Sequence, residues 1–128
     1  MYLIRTQGRA NSSMPRNMSF SLTTPQMCQR SKTVTRRLGW SYLRVGEVIN
    51  AVEKAMGLHK GEKVVTIGQL RVISVRREPL HAITADDCNR EGFPEMTPTQ
   101  FIQMFCRHNR CNPDTIVTRI EFQHLGTG

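Results

Sequence analysis

Apolar and polar residues alternate over residues 18–23 (MSFSLT), which predicts a strand with Met18, Phe20 and Leu22 facing inward. Thr24 and Pro25 follow as a capping residue and a proline suited to a first helical turn, so a short helix is expected over 26–30. Alternation with β-branched residues predicts a second strand over 33–38. The run Arg44-Val45-Gly46-Glu47 reads as a turn into a third strand over 48–52. A turn at 59–61 leads to two β-branched runs, 63–67 and 70–77, which a bend or bulge at Gly68 divides. Thr84 is placed to cap a helix over 85–90, where Asp86 and Asp87 complement the helix dipole. Thr97-Pro98 repeats the cap-plus-proline signal ahead of Phe101, Ile102, Met104 and Phe105, an amphipathic pattern that predicts a helix reaching about Cys106. A last strand is expected over 115–124, with Ile116, Thr118, Ile120 and Phe122 on one face.

This order, mostly strands with two or three short helices inserted, predicts an α+β domain: a small barrel of mixed strands with helices covering its ends. The 128 residues suit one domain. Residues 1–17 are polar and basic with no sustained period and read as a flexible extension, or as an added strand at its MYLI start, while Met18 opens a domain running to about residue 125. No apolar stretch is long enough to cross a bilayer and the N-terminus builds no apolar signal region, so a cytoplasmic location is expected.

Charge changes the picture through its distribution. The net charge is +8, and the first 46 residues carry Arg5, Arg9, Arg16, Arg30, Lys32, Arg36, Arg37 and Arg44 with no acidic residue. From Glu47 onward acids and bases balance. An excess concentrated in this way points to a polyanionic partner, RNA or a nucleotide-like ligand, against the plainer alternative of a basic surface that aids solubility. Cys28, Cys88, Cys106 and Cys111 are spaced too irregularly for a disulfide framework and read as free thiols. Cys106, His108 and Cys111 carry zinc-ligand chemistry but lack a paired CxxC, and no metal or cofactor is expected. No phosphate-binding glycine loop or serine–histidine triad spacing is present.

The stretch Arg30-Ser31-Lys32-Thr33-Val34-Thr35-Arg36-Arg37 concentrates cations and hydroxyls where a helix gives way to a strand. Lysine is a point charge for phosphate, arginine a planar fork for phosphate or a base edge, and threonine a hydroxyl donor. On a continuous strand Lys32 and Thr35 would face opposite ways, so they converge only if Lys32 lies in the helix-to-strand turn. Charged edge protection of an exposed strand is the competing reading.

The same stretch resembles the G-x-K-x-x-T-x-R signature of ASCH domains, relatives of the PUA fold, although Gln29-Arg30 stand where an Ala-Gly run is usual and the glycine is absent. Further matches follow in order: Trp40 with Val45-Gly46-Glu47, VISVRREP at 72–79, Arg90-Glu91-Gly92-Phe93, Met96-Thr97, Phe101, and VTRIEF at 117–122. The resemblance implies a small PUA-like mixed β-barrel with a cleft beside the lysine turn that binds RNA or a modified nucleoside. It also implies, for some members, an amidohydrolase that deacylates acetylated cytidine, and for another branch RNA cleavage. Lys32 and Thr35 match two working residues of the amidohydrolase branch, and Glu91 matches the third, with Glu95 as its rival. In that chemistry Lys32 serves as base toward the Thr35 hydroxyl or a water, Glu91 protonates the leaving amine, and Arg37 steadies a phosphate or carbonyl. Arg36 or Arg37 would lower the Lys32 pKa and Glu91 would raise it. Arg30, Lys32, Arg36, Arg37, Trp40 and Arg44 are the candidate nucleic-acid contacts, Trp40 and Tyr42 being divided between base stacking and capping the core. Three readings therefore stand: an RNA- or nucleoside-binding module, an enzyme using Lys32, Thr35 and Glu91, and a protein-interaction domain whose charge is incidental.

Overall fold

The computed structural model describes residues 15–54 and 61–126. The described elements in chain order are β1 (Arg16–Ser19), α1 (Thr24–Cys28), β2 (Val34–Arg37), β3 (Val48–Val52), β4 (Thr66–Pro79), a 3-10 turn (Leu80–Ala82), α2 (Ala85–Arg90), α3 (Pro98–Asn109) and β5 (Ile116–His124). The strands form one mixed sheet in the order β1-β3-β4-β5-β2, in which only β1 and β3 run parallel. β1 and β5 are separated by two strands, so on a flat sheet they would lie about 14 Å apart. Yet the rings of Phe20, just beyond β1, and Phe122 of β5 meet at 6.0 Å. The sheet is therefore strongly curled, a half-barrel closed over its own side chains.

Two bulges contribute to the curl. The register between β3 and β4 slips at Ala51/Val52, where Ile67 is the extra residue, and that between β4 and β5 slips between Val72 and Ser74, where Ile73 is extra. The break expected at Gly68 is thus absorbed as a bulge inside one long strand. That strand begins at Thr66 and not at residue 63. The turn expected at 59–61 falls largely outside the described residues.

Met18, Phe20, Met27, Ile49, Leu70, Val72, Ile120 and Phe122 form the core inside the curl. A second apolar cluster, Leu80, Ile83, Cys88, Phe101, Phe105 and Val117, binds α2 and α3 to the sheet. β5 runs between both clusters, so Val117, Thr118, Arg119 and Ile120 are all buried. The single inward face expected for it is replaced by two covered faces, and Ile116 at its end is exposed. Leu22 is likewise exposed, because the chain leaves β1 after Ser19 and turns before Thr23. α1 starts at Thr24, earlier than expected, and the Thr24 hydroxyl donates to the Phe20 carbonyl instead of capping the helix. α2 has the expected bounds, with Thr84 capping through the Asp87 amide. α3 continues three residues past Cys106, and Thr97 and Gln100 cap each other reciprocally at its start.

Candidate functional site

Two helix ends build the site. α1 closes with the Ser31 amide bonded to the Gln26 carbonyl and the Arg30 amide to that of Met27, and Arg30 takes a left-handed φ of 62°. α2 closes the same way: Phe93 bonds to Cys88, Gly92 to Asn89, and Gly92 has φ 98°. The ends are pressed together, since a Cβ on Gly92 would come within 2.7 Å of Gln26 Cγ and 2.9 Å of its Cβ. A further main-chain bond, Thr33 amide to Arg90 carbonyl at 2.7 Å, locks the loop after α1 to α2. The loop residue Lys32 and the α2-capping residue Glu91 are thereby brought face to face.

Lys32 Nζ donates to Glu91 Oε1 at 2.6 Å and to the Glu91 carbonyl at 2.9 Å, both residues being buried. Burial lowers the Lys32 pKa from its ordinary value; the Glu91 charge and hydrogen bond oppose this, and Arg37 and Arg36 reinforce it. The loop position of Lys32 meets the condition for convergence with Thr35, and both line one cleft. On β2, Thr35 and Arg37 share a face: Arg37 Nε donates to Thr35 Oγ1 at 3.1 Å, and the guanidinium lies 4.7 Å from the Phe20 ring centre. Burial brings the Arg37 pKa down to about 10 against the pull of Glu91, which leaves it charged at neutral pH.

Arg36 also borders the cleft, but its guanidinium is committed to carboxylates. Its side chain is fully buried, with Nη2 bonded to Asp87 at 2.6 Å and Glu78 at 2.7 Å, and Nη1 3.5 Å from Glu91. Arg119 grips the same Asp87 through two parallel bonds of 2.7 and 2.9 Å. Burial raises the Asp87 pKa, but the hydrogen bonds and charges of Arg119 and Arg36 outweigh it and hold the carboxyl well below the usual carboxylate range. With its two guanidinium ends turned onto carboxylates, Arg36 is the hub of an ion network that fastens β2, α2, β4 and β5 together.

The cleft has a volume of about 290 Å³. Lys32, Thr35, Arg37 and Glu91 supply polar groups, while Phe20, Phe93, Phe101, Met104 and Phe105 supply an apolar wall. His108 and Asn109, at the end of α3, complete it. The sequence reading missed this contribution: the apolar face of α3 was legible, but its division between core and cleft depends on how the helix docks. His108 lines the cleft, whereas Cys106 and Cys111 pack against the second apolar cluster. Among the described residues no group of three potential ligands is arranged to hold a metal ion.

The remaining candidates lie elsewhere. Glu95 is exposed and does not line the cleft, so Glu91 is the carboxylate beside Lys32. Arg30 extends its guanidinium to the Leu125 carbonyl, Trp40 packs on the core and stacks on Tyr42, and Arg44 is exposed; none of the three lines the cleft. Within the cleft, Lys32 and Arg36 are matched by acids, and Arg37 is the cation without a carboxylate at ion-pair distance among the described residues. The expected basic cleft is therefore close to neutral, with one uncompensated cation.

Comparison with solved structures identifies the fold. The chain is similar to the crystal structure of an ASCH domain from Lactobacillus crispatus JV V101, with a TM-score of 0.60 and 13% identity over 85% of this chain and 78% of that one. It is also similar to the crystal structure of a protein from Enterococcus faecalis V583 of the family DUF984, with a TM-score of 0.63 and 12% identity over 90% of this chain and 82% of that one. No protein-family model matches the sequence, and no curated protein matches it. The likeness is one of fold: the chain has the small mixed β-architecture with short helices of an ASCH domain, as its sequence resemblance implied.

Proposed function

We propose that the cleft holds a nucleobase, presented by single-stranded RNA or by a modified nucleoside. The observation that supports this most is the pairing, in one 290 Å³ cleft, of a phenylalanine-rich wall with the polar edge of Thr35, Arg37, Lys32 and Glu91. A planar heterocycle needs those two surfaces: π-faces to lie against and donors and acceptors for its rim. The volume lies at the lower end of small-molecule sites, suited to one base and too small for a stretch of strand. A ligand gripped mainly by phosphates would call for more cations than the one uncompensated Arg37. The reading makes RNA or its nucleosides the partner.

The pair Lys32–Glu91 favours a second reading, hydrolysis of an acyl group on the bound base. Burial disfavours the Lys32 ammonium, and transfer of its proton to the Glu91 carboxylate 2.6 Å away would free the amine. The amine would take a proton from water, directly or through the Thr35 hydroxyl; the resulting oxygen nucleophile adds to the acyl carbon. Collapse breaks the carbon–nitrogen bond, and Glu91 passes its proton to the departing nitrogen. Calorimetric titration with cytidine and with acetylated cytidine, followed by product analysis, tests both readings. Binding of either ligand, lost in Arg37→Gln, supports the first. Release of acetate from the acetylated ligand, abolished in a folded Lys32→Ala protein, adds the second. Absence of binding to both would overturn the proposal.

A further inference from the structure

We infer that the loop between β2 and β3 carries a second base-stacking position, centred on Tyr42, so that the ligand is a single strand of RNA spanning this loop and the cleft, and not a free nucleoside. The inference rests on the cleft reading above and names the substrate class it implies.

The loop is built around two anchors and an exposed ring. Leu43 is buried in the core, and Trp40 packs on that core from its edge. Trp40 holds a left-handed φ of 64°, a conformation that a bulky side chain adopts only when its surroundings impose it. Beside it stands an aromatic pair: the Trp40 and Tyr42 rings lie 5.9 Å apart and 24° from parallel. The Arg16 guanidinium lies 4.3 Å from the Tyr42 ring centre and 5.4 Å from that of Trp40, and is fixed in turn by Glu47. Tyr42 nevertheless remains 57% exposed. An aromatic ring that is rigidly backed and open to solvent is what base stacking uses, and Arg44, exposed two residues on, provides a phosphate contact.

The loop leads directly out of the cleft. Leu38 both lines the cleft and is exposed, and Trp40 and Tyr42 follow it within four residues. From Arg37 to Tyr42 the chain spans at most about 18 Å, which a single strand covers in a few nucleotides. A base in the cleft and a later one on Tyr42 are thus compatible with one continuous strand. A duplex is not, because its bases are stacked on each other and closed to both positions.

The test compares a fluorescently labelled single-stranded RNA hexamer with cytidine monophosphate, using the full chain and the variants Tyr42→Ala, Tyr42→Phe and Arg37→Gln. Loss of one base–aromatic stack weakens hexamer binding by roughly tenfold in Tyr42→Ala, while cytidine monophosphate binds unchanged and Tyr42→Phe behaves as the parent. Arg37→Gln weakens both ligands. A hexamer affinity unmoved by Tyr42→Ala, with both ligands still weakened by Arg37→Gln, overturns the second position and leaves the cleft reading standing. Equal affinity for an RNA duplex also overturns it. If Arg37→Gln moves neither ligand, the cleft reading fails, and this inference fails with it.

Discussion

Arg30 occupies a backbone conformation that glycine tolerates better than any side chain, at the position where the sequence signature has its glycine. Left-handed strain at a non-glycine residue costs about 1–2 kcal/mol, part of which glycine's greater freedom in the unfolded chain offsets. Arg30→Gly is therefore expected to stabilise the protein by about 0.5–1 kcal/mol in denaturant unfolding. Lys32 and Glu91 present the opposite case. Removing Lys32 leaves the buried Glu91 carboxylate with only the 3.5 Å contact to Arg36 Nη1, so Lys32→Met is expected to cost about 3 kcal/mol, whereas Lys32→Met/Glu91→Gln recovers most of that loss. Recovery in the double variant would mean that the pair is maintained for the chemistry of the cleft and not for stability. That Lys32, Thr35 and Glu91 line one cleft follows the order of short motifs that carried the family resemblance. The role of Arg36 was not legible in the sequence, since its partners Asp87 and Glu78 lie 51 and 42 residues away and nothing local distinguishes a buried guanidinium from an exposed one.

The junction of α1 and α2 is the element on which the site depends. Gly92→Ala would place a Cβ against Gln26 and force a left-handed alanine, and it is expected to destabilise the protein by about 2 kcal/mol, read from the unfolding midpoint. The same change separates the helix ends that hold Lys32 against Glu91, so ligand affinity falls even where the protein is still folded. The ion network at the other side of β2 sets the response to acid. The Asp87 carboxyl binds a proton less readily in the folded chain than in the unfolded one, whose ordinary value is 3.8. Its contribution is thus complete above about pH 4 and lost progressively as the pH falls below it. Unfolding measured between pH 7 and pH 3 should show that loss, and Asp87→Asn should be less stable at pH 7 with a flatter dependence on pH. Helices α2 and α3 were readable from their caps, which are local. Where β4 and β5 slip register, and which side of α3 faces the cleft, were not readable, because both are decided by packing across the sheet.

The acid-free first third of the chain suggested a strongly basic surface, and among the described residues folding matches three of its eight cations with acids. Arg16 pairs with Glu47, Lys32 with Glu91, and Arg36 with Glu78 and Asp87, every acid coming from the balanced remainder of the sequence. Charge read along a chain does not disclose which cations will be matched internally. A ligand held by the cleft and the Tyr42 loop consequently meets few free cations, and the plot of log affinity against log salt should have a slope of magnitude about 2 or less, well short of what a protein neutralising eight phosphates would give. The curled sheet was anticipated by strand order and by the ASCH resemblance together; alternation alone did not reveal that β5 is covered on both faces. The most direct test of the account is to map a nucleoside onto the molecule by heteronuclear magnetic resonance, titrating isotope-labelled protein with cytidine. The account predicts saturable shifts at Phe20, Thr35, Arg37, Phe93, Phe105 and His108. Shifts confined to residues outside the cleft, or none at saturating nucleoside, would contradict it.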